Sequence, residues 1–584
     1  MRTVIIIAST VLLLCGCVYD GNEGMPRPRA APWSGRAAET ALRQERLSAV
    51  ALGQTVRWSK RQLVELSGPD GALRLDFRAV GEVLFFGPQR MPYRYRGEKR
   101  IDWRLSAQSL VVNGRVVGIV VDKASDARAA ALVQQHARTL ESLHLVGLAG
   151  LRPAKLIQAL KDRKISNLQV RLVCSAEHPE DVSHVAELGR AVRALWLEGE
   201  VRRAHLRALA KLKGLETLGL HARGINDHRL PALPVLPALT RLSLRNQPVG
   251  DAGLTLVIKQ YGLVSLDLSG TLVTDAGLRF VAKLPQLVSL QLARTRVSDQ
   301  GLQRIGSMAR LERLSLTRTR TSSAGLLALS KLTRLKVLRL QFTDVRGGGL
   351  AALASLRGLV QLDLKETRVG RAGLRAIRDL PLLRWLSVRS TLCGDRALVS
   401  VGKLTTLQWL DASDTVSSGA GLSHLGELQS LRFLNFSGNV VTPGSLKPLA
   451  LLRALEQLLL DRTHLRDADL TALSGVIGLH RLDLSRNGIT DAGLASLGAM
   501  IKLRRLDLSV TRITGAGLSH LSKLTGLERL SLERTLLTDG GLSQLARFTR
   551  LRHIDLRGTS VTPKGLSGLR SSLPLATIVG SVGK

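Results

Sequence analysis

The sequence predicts an α/β solenoid, with a parallel sheet along one face and helices along the other, preceded by a small β-rich amino-terminal domain. Three observations predict it. Leucines recur every 24 residues from Leu215 to Leu575 without an insertion. Inside each interval an alternating apolar–polar stretch gives way to apolar residues three and four apart, the periods of a strand and then a helix. Finally, 45% of residues are hydrophobic but only 3% are aromatic, so the core is built from aliphatic side chains, as in long, thin, layered structures. In a chain of 584 residues the search for repeats comes first, because a missed repeat misreads the whole fold.

At the amino terminus, a basic start at Arg2 leads into an apolar run from Val4 to Leu14 and then Leu14-Cys15-Gly16-Cys17. About eleven apolar residues are too few to span a bilayer as a helix and read as a secretory signal. The Leu-x-Gly-Cys ending resembles the bacterial lipoprotein signal, which implies that residues 1–16 are removed and that Cys17 carries the lipid. An ordinary signal peptide with an incidental cysteine is the plain alternative. Residues 17–45 include Met25-Pro26-Arg27-Pro28-Arg29-Ala30-Ala31-Pro32 and have the composition of a flexible tether. The resemblance implies an exported protein anchored in a membrane on the periplasmic or cell-surface side.

From 46 to 130 the texture changes. Trp58, Phe77, Phe85, Phe86, Tyr93, Tyr95 and Trp103 are seven of the chain's eighteen aromatic residues. Leu73-Arg74-Leu75-Asp76-Phe77 alternates like a strand, and Val111-Val112-Asn113-Gly114-Arg115-Val116-Val117 reads as a hairpin closed by Asn-Gly. A β-rich domain here suits a cap for the first repeat.

The body, 131–574, repeats strictly from Leu215; Leu140, Ile165 and Val192 open earlier units at looser spacing, which makes eighteen units in all, and 575–584 forms the end. In the unit from Leu263, the alternation at Leu266 and Leu268 predicts a strand, and Leu278, Val281 and Leu284 predict a helix. Asp275 and its equivalents, among them Asp251, Asp299, Asp467, Asp491 and Asp539, stand where helices begin and are expected to accept from the first free amides. Thr271, Thr295, Thr319, Thr343, Thr367 and Thr391 are expected to bond turn backbone.

The pattern Leu-x-x-Leu-x-Leu-x-x-Thr-x-Val-Thr-Asp-x-Gly-Leu resembles the leucine-rich-repeat family over residues from about 140 to 574. That resemblance implies a right-handed horseshoe with a parallel concave sheet and convex helices. The family usually carries Asn at the Thr place, kept here at Asn439 and Asn487.

No constellation for catalysis stands above the repeat background. Cys393-Gly394-Asp395 is similar to the Cys-x-Asp of bacterial leucine-rich-repeat ubiquitin ligases, yet its register puts Cys393 at a core place held elsewhere by Val273 and Val297. Gly580-Ser581-Val582-Gly583-Lys584 lacks the spacing of a phosphate loop. His424 and His520 sit at equivalent helix places and are expected to face solvent. The twelve histidines are scattered, and no metal, cofactor or disulfide is implied. The chain is read as a binding protein rather than an enzyme.

The third place of each unit points away from the leucine core. Trp385, Trp409 and Phe433 hold it in three successive units, and Arg481, Arg505 and Arg529 in three more. At 4.8 Å or so per strand, the rings form one ladder. With Asp411, Asn435, Arg481 and Arg505 they make the expected concave-face binding site for a protein or envelope glycan. The rings stacking only on one another is the competing reading. Arg481 with Asp483, and Arg505 with Asp507, are expected to pair. Formal net charge is +38, which suits anionic lipid or envelope polymer and equally an arginine-rich composition; nucleic acid is the least available anion to an exported protein. The alternative function is a structural envelope protein held to anionic lipid or polymer without a specific partner.

Overall fold

A computed structural model describes residues 168–178 and 180–580 throughout, and before them the backbone of seven strands and one helix between 53 and 162. The expected leader 1–16, Cys17, the tether 17–45, Phe85, Phe86, Tyr93, Tyr95, Asn113-Gly114 and Ser581–Lys584 lie outside the described residues. The chain divides into two compact units, Met1–Leu242 and Ser243–Lys584.

In the first unit, Leu73–Arg78 pairs antiparallel with Arg100–Leu105, which pairs with Ser109–Val112, which pairs with Arg115–Val121. The last two are the strands expected on either side of Asn113-Gly114. The direction then changes: Arg115–Val121, Ser142–Leu145, Leu168–Cys174, Val192–Gly199 and Thr217–Leu220 pair in parallel in chain order. The antiparallel strands thus sit where the parallel sheet would otherwise present an open edge. A separate two-stranded sheet joins Gly53–Ser59 to Gln62–Gly71.

The second unit is the strict repeat. Its parallel strands run from Ser265–Asp267 to Thr577–Val579, each three residues long and each in register with the residue 24 positions on, as in Ser265↔Ser289 and His553↔Thr577. Leu263, Leu266 and Leu268 are fully buried, as are Leu278 and Val281 of the helix and Leu284 just after it. These leucines form continuous aliphatic rows, each full burial contributing about 1.5–3 kcal/mol. The helical segments are short, such as Asp275–Val281, and several wind as tighter 3-10 turns, among them Gly419–Leu425 and Asp491–Leu497. At the far end the expected opening leucine, Leu575, is 80% exposed. There the helix Pro563–Ser572 runs ten residues, so Leu573 is buried instead.

The turn threonines behave as expected: Thr271 Oγ1 donates to the Leu268 carbonyl at 2.6 Å, and Thr295, Thr319, Thr343, Thr367 and Thr391 repeat the bond. Asn439 reaches further. Its Oδ1 accepts from the Thr415 and Ser417 amides of the preceding repeat, and its Nδ2 donates to the carbonyls of Ala412 and Phe436. Asn487 does the same two repeats later.

The helix-start aspartates depart from expectation. Where a side chain caps the helix it is that of the residue before them: Thr274 accepts from the Ala276 amide, and Ser298 and Thr490 do likewise. The aspartate instead crosses to the next repeat, where Asp251 accepts from the amide and hydroxyl of Thr274 at 2.9 and 2.5 Å. Asp395 takes the Ser418 amide, the Ser418 hydroxyl and the Gly421 amide at 2.8, 2.5 and 3.0 Å. Hydrogen bonds from Thr562 hold the Asp539 carboxyl below the usual carboxylate range. Charge-assisted bonds of this kind contribute about 1.5–3 kcal/mol. Asp395→Ala should therefore cost about 2 kcal/mol in urea unfolding, and Asp395→Asn less, since one acceptor survives. Equal stability of Asp395→Ala and wild type would show that the bonds contribute nothing.

One backbone feature escaped the sequence pattern. From the repeat of Leu239 to that of Leu551 the eighth place is left-handed, from Asn246 at φ 57° through Arg294, Arg318, Phe342 and Asp414 to Gly558 at φ 68°, although most of these residues are not glycine. At Gly438 the space is also closed, because a Cβ would lie 2.0 Å from the Asp414 carboxylate of the preceding repeat.

Candidate binding site on the sheet face

Trp385–Ser387, Trp409–Asp411 and Phe433–Asn435 are adjacent strands with Trp385, Trp409 and Phe433 aligned. Alternation forces this placement: Leu386, Leu410 and Leu434 are fully buried, so their neighbours point the other way. The rings stack face to face, Trp385 on Trp409 with centroids 4.2 Å apart and 8° between planes, Trp409 on Phe433 at 4.7 Å and 4°. Strand spacing of about 4.8 Å is only slightly wider than ring contact, so the rings close the gap and each becomes half-buried rather than fully exposed. On the outer sides Gln361 and Gln457 stand in register beside Trp385 and Phe433. The rings thus stack on one another, and their edges stay in reach of solvent.

The polar residues expected beside the ladder serve the fold first. Asp411 is buried and accepts from the amide and hydroxyl of Ser413 at 3.1 and 2.6 Å; burial pushes its carboxyl upward. Asn435 Oδ1 accepts from the Ser437 amide at 3.1 Å. Asp411 and Asn435 thus use acceptors on their own turns. Arg481, Arg505 and Arg529 align across strands as expected. Asp483 accepts from Ser485, and burial together with the neighbouring Asp507 raises its pKa against the attraction of Arg481. Asp507 likewise accepts from the Ser509 amide and hydroxyl.

Asp363 lies two strands before Asp411 in the same row. Burial, above all, lifts its carboxyl to about 6, against bonds from the Lys365 amide and the Gln341 side chain. The sign follows from proton counts. Between about pH 4 and 6 the folded chain holds a proton that the unfolded chain has released, so stability falls as pH rises through that window. Asp363→Asn should remove this loss and gain on the order of 2 kcal/mol over wild type at pH 7, relative to pH 4. Parallel pH profiles of the thermal midpoint for the two proteins would refute it.

Cys393 is 5% exposed and contacts Thr391 Oγ1 at 2.8 Å, and burial raises its thiol to about 11. That is the opposite of a reactive thiolate. His424 and His520 are exposed, as expected. Among the described residues no group of three or more His, Cys, Asp or Glu is placed to hold a metal ion.

Residues 479–498 match a family model described as Leucine Rich repeat. Curated proteins provide no sequence match. Among solved structures, an internalin from Listeria monocytogenes is 20% identical, with 57% of this chain and 94% of that one covered and a TM-score of 0.48. A leucine-rich-repeat protein of Leptospira interrogans is 18% identical over 77% of this chain and 97% of its own, with a TM-score of 0.41. The ectodomain of the Arabidopsis receptor kinase HAESA, solved with a peptide hormone ligand, is 21% identical over 61% of each chain, with a TM-score of 0.40. With its register of buried leucines, its three-residue parallel strands and the family match at 479–498, the chain folds as a leucine-rich-repeat solenoid.

Proposed function

We propose that this protein is a non-catalytic binding scaffold whose sheet face recognises a protein partner at Trp385, Trp409 and Phe433, and that lipid on Cys17 tethers it to a bacterial envelope membrane. The observation that carries the reading is the ladder itself, three of the chain's eighteen aromatics on adjacent strands of one sheet face. Its stacking bears on the ligand. A sugar ring stacks on a free aromatic face, and here the inner faces are taken, at 4.2 and 4.7 Å. Apolar ring edges with indole N–H donors suit the side chains and carbonyls of a protein, so a protein is favoured over an envelope glycan. Pull-down with wild type and Trp409→Ala tests it: partners held by the ladder are missing from the variant's catch, and identical catches refute it.

The tether rests on Leu14-Cys15-Gly16-Cys17. Cys17→Ser should move the protein from the membrane to the soluble fraction, because a lost acyl chain removes about 0.8 kcal/mol per buried CH₂. Retention of the variant on membranes after a salt wash would refute lipidation.

A further inference from the structure

In the turn that follows each strand of the strict repeat, the eighth and tenth places flank the turn threonine. In the repeats of Leu287 and Leu311 both places are arginine: Arg294, Arg296, Arg318 and Arg320, all exposed. No other described strict repeat has arginine at both. The two turns are stacked, since the Arg294 amide donates to the Thr317 carbonyl at 2.8 Å and the Arg320 amide to the Val297 carbonyl at 2.9 Å. The four side chains therefore start about 4.8 Å apart across repeats and at most about 7 Å apart within a turn. Among the described residues no carboxylate pairs with any of them; Arg318 lies over the Phe342 ring, 4.2 Å from its centroid. The nearby acids are engaged elsewhere, Asp275 and Asp299 by Ser298 and Ser322, and Asp344 by Arg346 and Arg368. Four like charges in so small a span repel one another, and an anion among them relieves that repulsion.

The same edge continues through the repeats that follow. At the eighth place each turn donates to the next, Arg318 to Gln341, Phe342 to Lys365, Glu366 to Arg389, Ser390 to Ser413 and Asp414 to Ser437, so these turns form one unbroken row. Further along it the tenth place is held by Leu392, Val416 and Val440, exposed at 76, 74 and 52%. Val416 is also left-handed, at φ 57°, a conformation that costs a β-branched residue energy. Its exposure shows that packing does not compensate. Of the other acids on the row, Asp414 lies 3.8 and 3.6 Å from Arg389 and Arg462, and Glu366 is exposed.

We infer that this edge rests on an anionic lipid surface: Arg294, Arg296, Arg318 and Arg320 hold headgroup phosphates, and Leu392, Val416 and Val440 dip below them to the acyl boundary. Guanidinium forks match phosphate oxygens two by two. A bilayer is the anion that also accepts aliphatic side chains a few ångströms from its charges, whereas a nucleic acid or a soluble polyphosphate leaves Leu392 and Val416 in water. The inference goes beyond the proposed function and needs neither the ladder nor a lipid on Cys17. For a chain tethered at Cys17 it supplies the second attachment that one acyl chain needs for stable anchoring.

Titration of the full-length Cys17→Ser chain onto vesicles of phosphatidylcholine, alone or with an equal part of phosphatidylglycerol, tests it. Binding to the anionic vesicles is expected to be about a hundredfold tighter and to weaken with salt. Arg294→Gln, Arg296→Gln, Arg318→Gln and Arg320→Gln together should abolish that preference. Leu392→Gln, Val416→Asn and Val440→Gln together should weaken anionic binding about tenfold. Asn tolerates the left-handed backbone and all three side chains are exposed, so the thermal midpoint should not fall, which separates lost contact from lost folding. Lys283→Gln, Lys331→Gln, Arg334→Gln and Lys502→Gln, exposed in the turns that lead into strands, remove the same charge and should bind like the parent. Equal loss in this control overturns the inference in favour of net charge alone. Parent-like binding of the aliphatic variant, equal binding to both vesicles, or no binding to either also overturns it. So does binding of inorganic polyphosphate at the four arginines without binding of vesicles, which assigns them to a soluble anion.

Discussion

Trp409→Ala is expected to weaken partner binding tenfold to a hundredfold and to lower the thermal midpoint by only a few degrees. Trp409 is the centre of the ladder, with one ring on each face at 4.2 and 4.7 Å. Its removal deletes one ring edge from the site and opens a gap between Trp385 and Phe433, which then rotate or tilt. A partner thus meets a disordered patch instead of a continuous apolar edge, which is why the loss exceeds that of one contact. Tenfold corresponds to about 1.4 kcal/mol. The cost to folding is two stacking contacts of about 0.5–1.5 kcal/mol each, on a side chain already half in water. Trp409→Phe keeps the stack and should keep most of the affinity. Titration of partner onto the three proteins, with a thermal melt of each, checks the prediction. Normal binding by folded Trp409→Ala would make the ladder purely structural.

Asn439→Ala is expected to be the most destabilising of the polar substitutions, at about 3–5 kcal/mol in urea unfolding. The side chain is 2% exposed. Its loss strands two buried amides, of Thr415 and Ser417, and the Phe436 carbonyl, while the Ala412 carbonyl keeps only the Thr415 hydroxyl. Each buried unsatisfied group costs about 1–3 kcal/mol, reduced where the backbone relaxes. Thr295→Ala breaks one bond, to Leu292, and should cost about 1 kcal/mol. Asn439→Thr, which restores the residue most repeats use, should recover the bond to Phe436 but not those to the preceding repeat. Hydrogen exchange at the Thr415 and Ser417 amides should rise in both variants. If Asn439→Ala costs no more than Thr295→Ala, the cross-repeat bonds do not hold the layers together.

The candidate site was legible in outline for a specific reason. A repeat that never slips turns sequence position into spatial position, so Trp385, Trp409 and Phe433 could be aligned before any coordinate was known. Their orientation could not, because a period of two states which side of the sheet a side chain leaves, not whether rings 4.8 Å apart lean together. The same limit hid the roles of Asp411 and Asn435. Both were placed correctly on the face, but the turn serines two residues on compete for their oxygens.

By itself the sequence determined the 24-residue register, the buried leucine places, the strand and helix of each repeat and the alignment of the ladder, because all of these follow from hydrophobic periodicity and strand spacing. Tertiary structure alone decided which repeat each aspartate binds, where the backbone turns left-handed and how far the rings close on one another. Those outcomes depend on hydrogen-bond and contact distances between neighbouring layers, which a one-dimensional period does not contain. Asp395 shows the difference: its position marks the start of a helix, yet its carboxylate is bound to Ser418 of the next.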